Sequence, residues 1–172
     1  LMLGSFPPAR KRWSMDFFYP NYTNDMWRIF GLCFFEDKLH FVDEARKTYY
    51  RSEIEQLLNA KGIGLYDTAT AVRRMAGTAA DKDLEVVEVT NLDALLLRIP
   101  HCVAVAVTGQ KASDVFCVHF NIQPPKVGAF TSFDYEGRAL RLYRMPSSSR
   151  AYPMQVERKA AYYKRMFDEI LY

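Results

Sequence analysis

No stretch of the chain approaches the roughly 20 uninterrupted apolar residues that a membrane-crossing helix needs, and no charged N-terminal segment precedes a long apolar one. Membrane insertion and secretion are therefore not expected, and a cytoplasmic location is. Cysteine is scarce: there are three, Cys33, Cys102 and Cys117, in apolar surroundings and without the paired short spacing of a zinc or iron–sulfur site. They read as reduced core thiols, and neither a metal nor a cofactor is expected. Histidine is as rare, and His40, His101 and His119 do not cluster with other ligands, so they read as structural or surface residues. A large excess of one charge is missing too. The formal charge of +3 excludes a histone-like polycation but leaves room for a basic stripe on one face. Neither Gly-x-x-x-x-Gly-Lys nor Gly-x-Gly-x-x-Gly occurs, which disfavours an α/β enzyme that cradles nucleotide phosphates. Repeats, low-complexity segments and dividing linkers are also absent.

What remains is a chain of 172 residues, 49% hydrophobic, which suits one domain over residues 1–172 with a core of its own, and a monomer. It opens at Leu1 rather than Met, in what reads as the last half of a strand, so native residues ahead of Leu1 are expected. Four short apolar runs read as strands: Leu1-Met2-Leu3, Ile63 to Tyr66, Cys102 to Val107 and Leu140 to Tyr143. Helical spacing lies between and after them. Thr23 or Asn24 can cap a helix from Asn24 to Phe30, and Ser52-Glu53-Ile54-Glu55 reads as a capping box for a helix that Gly62 stops. Asn91 caps Leu92 to Ile99, ahead of Pro100. Gln110 to Phe120 places Ala112, Val115, Phe116 and His119 in register. Val156, Ala160, Tyr163, Phe167, Ile170 and Leu171 mark the last helix. Alternating strands and helices predict an α/β fold, a three-layer α/β/α sandwich around a central, mainly parallel four-stranded sheet. Ligands of such sheets bind where strands end, which directs attention to Gly4 to Pro8, Asp67-Thr68, Thr108 to Lys111 and Pro146 to Arg150.

Gly4 permits a sharp exit from the first strand and Pro7-Pro8 stiffen it, so backbone groups of Ser5 and Phe6 can point into a cleft; an ordinary turn explains the same residues. Arg10-Lys11-Arg12-Trp13 is either a solvated charged loop or a contact for a phosphate backbone and an unstacked base. The segment from Phe17 to Arg28 is less ordinary. Its aromatics Phe17 and Phe18 precede a capped helix and can form a stacking floor, with the Asn24 amide projecting into the same space. Alternatively, Asn24 is only a cap and Trp27 only core.

The order Gly4-Ser5-Phe6-Pro7, then Pro20-Asn21-Tyr22-Thr23-Asn24-Asp25-Met26-Trp27, then Met145-Pro146-Ser147-Ser148-Ser149-Arg150 resembles the uracil-DNA glycosylase superfamily. Within it the pattern is similar to the hypoxanthine-DNA glycosylase and mismatch-specific (thymine/uracil) branches, nearest the former through Gly-Ser-Phe-Pro. The likeness runs over nearly the whole chain, with Gly62 to Asp67 resembling the second strand and Gly109 to Ala112 the third strand-to-helix turn. Two departures stand out. Phe6 occupies the place of the Asp or Asn that handles the water in the best-known branches, and the second motif has serines in place of His or Asn. Hypoxanthine-type members depend instead on the Asn three residues before the Trp, which is Asn24; Asn21 is the competing amide, at the wrong distance from Trp27.

The resemblance implies a monofunctional DNA glycosylase of base-excision repair that hydrolyses the N-glycosidic bond of a flipped uracil or hypoxanthine. In that reading Asn24 is catalytic and orients water. Gly4, Ser5, Phe6, Phe17, Phe18, Ser147, Ser148 and Ser149 hold the base, while Arg150 and Tyr152 supply the wedge. Arg10, Lys11 and Arg12 contact DNA. Arg158, Lys159, Lys164 and Arg165 are either further phosphate contacts or a solvated helix face. The main alternative is a binding module for damaged nucleic acid that has kept the pocket and lost catalysis, a reading that Phe6 and the serine-only motif keep open.

Overall fold

A computed structural model describes residues 1–74 and 84–172. Contacts group them into two units, Leu1–Phe6 with Leu65–Pro146 and Pro7–Gly64 with Ser147–Tyr172, so each unit is assembled from pieces distant in sequence.

The first unit is built on a five-stranded sheet in which β4 (Leu65–Asp67), β1 (Met2–Gly4), β7 (Ala104–Thr108) and β9 (Arg138–Met145) run parallel, and β8 (Phe130–Tyr135) closes the far edge antiparallel to β9. Every residue of β7 is buried, as a continuous apolar strand with neighbours on both sides should be. The fold is thus α/β with a central, mainly parallel sheet, as the sequence implied. The sheet has one strand more than expected. Exposure alternates along Phe-Thr-Ser-Phe-Asp-Tyr, so β8 shows no apolar run. It joins β9 through Glu136 and Gly137, both at positive φ (49° and 74°), the two-residue turn that matches strand twist.

Helices α3 (Leu92–Leu97) and α4 (Gln110–Phe120) pack on this sheet, Leu92, Leu96 and Phe116 sharing a core with Leu3, Val105 and Leu142. Asn91 caps α3 as expected, its Oδ1 accepting from Ala94 N–H at 3.0 Å. The buried face of α4 is Ala112, Ser113, Phe116 and Cys117 rather than the expected set with His119; that imidazole lies at the surface, 2.7 Å from Asp93. β5 (Ala69–Arg74) and β6 (Leu84–Val89) pair antiparallel in a separate two-stranded sheet.

The second unit holds α1 (Met26–Phe35), the short β2 (Val42–Asp43) and β3 (Thr48–Tyr49) pair, α2 (Arg51–Lys61) and α5 (Val156–Leu171). α1 packs on α5 through aromatic edges, with Phe30 5.2 Å from Trp27 and 5.4 Å from Phe167 between centroids. α1 begins two residues after its expected start, runs five residues beyond its expected end and stops where Glu36 turns left-handed (φ 57°) and Asp37 folds back, its N–H bonding to the Gly31 carbonyl at 3.3 Å. α2 starts at Arg51, which puts Ser52 inside the helix, so the expected capping box does not form; Gly62 stops the helix at φ 66° as expected.

Candidate functional site

Residues from three distant stretches meet at the head of α1. The Asn24 side chain accepts the Met26 N–H on Oδ1 at 2.9 Å, an Asx turn leading into α1, whose N-cap is Asp25, and this bond orients the amide. A carbonyl oxygen has two lone pairs, so Oδ1 retains one for a second donor. Asp25 follows, buried at 5% exposure. Its N–H donates to the Ser148 carbonyl at 2.9 Å, which joins the helix head to the serine loop. Its carboxylate takes two cations: Lys159 Nζ donates to Oδ2 at 3.0 Å, and Arg150 Nε donates to Oδ1 at 3.3 Å. Lys159 is fully buried, and Nζ also donates to the Ser149 carbonyl at 2.8 Å. Asp25 thereby ties together α1, the loop Ser147 to Arg150, and α5.

The serine loop itself is shaped by local bonds. Ser147 Oγ accepts from the Ser149 N–H and Ser149 Oγ accepts from the Ala151 N–H, each at 3.2 Å. Both hydroxyls spend an oxygen lone pair on the backbone and keep their own O–H for a further acceptor. Ser148 is buried. Arg150 has half of its side chain exposed while tethered to Asp25, and Tyr152 is half-buried with Lys159 Nζ 5.9 Å from its ring centroid.

Phe17 and Phe18 lie beside the first turn of α1. Phe17 stacks on Trp27 at 6.0 Å and has the Arg51 guanidinium 5.2 Å from its ring centre; Phe18 meets Phe17 edge-on at 5.4 Å and accepts the Trp27 Nε1–H on its carbonyl. Both rings are half-buried. Trp27 is fully buried, the core role open to it from the sequence. Arg10, Lys11 and Arg12 form a single exposed 3-10 turn. Arg10 covers Trp13 at 4.2 Å and pairs with Asp16, whereas Lys11 and Arg12 have no acidic partner among the described residues.

Gly4, Ser5 and Phe6 belong to the first unit, where they leave the end of β1. Gly4 stands opposite Asp67 in the sheet register, and the carbonyls of Gly4 and Ser5 accept from Thr68 and Ala69 N–H. Phe6 is half-buried. Burial pushes the Asp67 carboxyl up to about 6, making it a titratable group at the carboxyl end of the parallel sheet.

Sequence reasoning missed Asp25 and misplaced Lys159, which is an internal ion-pair partner and not part of a solvated face. Its signal was available, since position 159 lies three residues after Val156 and four before Tyr163, on the apolar side of the helix. Lys164 and Arg165 do lie on a solvated face, paired with Asp168 and Glu169 one turn on. Among the described residues no group of three or more His, Cys, Asp or Glu is placed to hold a metal ion, and no helix is long and apolar enough to cross a membrane.

No family model and no curated protein matches the chain. A solved structure does. The solution NMR structure of a candidate uracil DNA glycosylase from Methanosarcina acetivorans is similar at a TM-score of 0.57 and 20% identity, over 96% of this chain and 88% of that one. At that identity the likeness is one of fold.

Proposed function

We propose that this protein is a DNA glycosylase that hydrolyses the N-glycosidic bond of a deaminated base, uracil or hypoxanthine, extruded from DNA. The reading is carried by one observation: Asp25 fastens the Asn24 head of α1 to the Ser147–Arg150 loop, 125 positions along the chain, and so brings two of the three motif segments together. Support also comes from a fold shared with a candidate uracil DNA glycosylase.

Cleavage builds positive charge on the sugar and negative charge on the departing base, and water must be held for attack. The remaining lone pair of Asn24 Oδ1 accepts a hydrogen bond from that water and so orients it, in an amide already bonded to Met26 N–H. The Ser147 and Ser149 hydroxyls donate to the base as it becomes anionic. Phe18 stacks on the base, with Phe17 behind it. Arg150 and Tyr152 fill the gap left in the duplex, and Lys11 and Arg12 meet phosphates.

Incubation with oligonucleotides carrying uracil, hypoxanthine, xanthine or mismatched thymine, followed by alkali, tests this directly. Strand breaks are expected at uracil or hypoxanthine. Breaks at none, with binding to the same strands retained, would overturn catalysis in favour of a damage-binding module, the reading that Phe6 and the serine-only loop keep open.

A further inference from the structure

The carbonyl of Asn24 is not bonded by the helix that follows; the ladder of α1 begins one residue later, with Ile29 N–H on the Asp25 carbonyl. Side chains hold it instead. Tyr49 Oη lies 2.8 Å from the Asn24 carbonyl and 2.7 Å from that of Tyr22, and Arg28 Nη1 lies 3.2 Å and 2.8 Å from the same two oxygens. Arg28 Nη1 also donates to Tyr49 Oη at 2.6 Å. The proton count closes. Nη1 has two hydrogens and the phenol one, and the acceptors are two carbonyls and the phenol oxygen. Arg28 satisfies Tyr49 and one carbonyl, which leaves the Tyr49 proton for the other.

This arrangement needs a neutral phenol, and burial holds the Tyr49 hydroxyl up at about 12. It also keeps a guanidinium buried at 7% exposure with no carboxylate against it among the described residues, facing the rings of Tyr22 at 4.9 Å and Tyr49 at 5.5 Å. A neutral cap residue would have closed the loop without desolvating a cation. The loop is gripped on the two peptide groups that bracket Thr23 and Asn24, while Met26 N–H grips the Asn24 side chain.

We infer that Tyr49 and Arg28 are positioning residues that aim the Asn24 amide at the reacting water, an inference that rests on Asn24 acting in the reaction. They act through Asn24 and touch no substrate.

The test is a double-mutant cycle. Tyr49→Phe is made in the wild-type and Asn24→Ala backgrounds, and single-turnover base release, oligonucleotide affinity and thermal midpoint are measured for each protein. Tyr49→Phe alone is expected to slow release by roughly tenfold with affinity little changed, and to add less than about twofold in the Asn24→Ala background. Equal slowing in both backgrounds, or no slowing in either, would overturn the inference. Should Tyr49→Phe fail to fold, Arg28→Lys, which keeps the charge and loses the planar N–H fork, replaces it in the same cycle. An activity-independent arm is the ¹⁵N side-chain amide signal of Asn24, expected sharp in the wild type and broadened or split in Tyr49→Phe; an unchanged signal also overturns the clamp. Failure of the functional reading looks different: a folded Asn24→Ala protein keeps full release, or the wild type releases no base, and the catalytic role of the clamp falls with it.

Discussion

Asn24 is held at side chain and main chain alike, and rigidity of that kind is what a group that must orient a water molecule requires. Asn24→Ala is expected to lower single-turnover base release by about 100- to 1000-fold, the effect of removing one transition-state hydrogen bond, with the fold retained. Near-wild-type release would remove Asn24 from the chemistry. Asp25 makes a different demand. Its buried carboxylate needs Lys159, and Lys159→Met leaves it with only a half-exposed arginine, which should cost about 3–5 kcal/mol in chemical denaturation. A loss under about 1 kcal/mol would mean that Arg150 alone neutralises the site. Asp67 carries the clearest pH signature. With its folded pKa at about 6 against an ordinary value of 3.8, the folded state binds more protons between these limits, so this group lowers stability as pH rises from about 4 to about 6 and adds no slope beyond. Asp67→Asn should flatten that part of the profile of thermal midpoint against pH and raise the midpoint at pH 7.5. An unflattened profile would assign the slope to other groups.

At the scale of elements, much was legible in the sequence. α4 has the expected ends, Gly62 stops α2, Asn91 caps α3, and the four parallel strands lie within two residues or so of their apolar runs. The misses have physical causes. β8 hides because its faces alternate; Ser52 sits inside α2 because the helix starts two residues early, at Arg51 with Tyr50 as its N-cap. α1 ends in a local fold-back of Asp37 onto Gly31 with Glu36, rather than the usual Gly or Asn, in the left-handed position, so no stop residue marks it in the sequence. Gly31 shows this most sharply. A Cβ there would lie 2.2 Å from the Asp37 carbonyl oxygen, a backbone atom, so Gly31→Ala should destabilise by about 1–3 kcal/mol and loosen the last turn of α1. Hydrogen exchange at Phe34, Phe35 and Asp37 reports that directly, and unchanged protection would contradict the fold-back. The site was less legible than the fold. Asn24 and the serine loop carry recognisable neighbours, but the partners that hold them, Asp25, Lys159, Tyr49 and Arg28, are ordinary residues whose roles arise only from long-range contact.

At the scale of the molecule, both units are interrupted: residues 65–146 of the first separate the two pieces of the second. A fragment of residues 7–64 therefore contains Asn24 and Asp25 but neither cation. It should show no cooperative thermal transition alone, and should gain one with a peptide of residues 147–172 added; a cooperative melt of 7–64 by itself would contradict this. The Asp25–Lys159 pair, 134 positions apart, has a further consequence in time. During synthesis, at about 5–20 residues per second, the carboxylate at Asp25 emerges from the ribosome many seconds before the ammonium that will neutralise it. Until α5 follows, the head of α1 keeps its charge in water, so this unit closes late, and a chain ending before Lys159 lacks the cation that ties α5 to Asp25 and the serine loop.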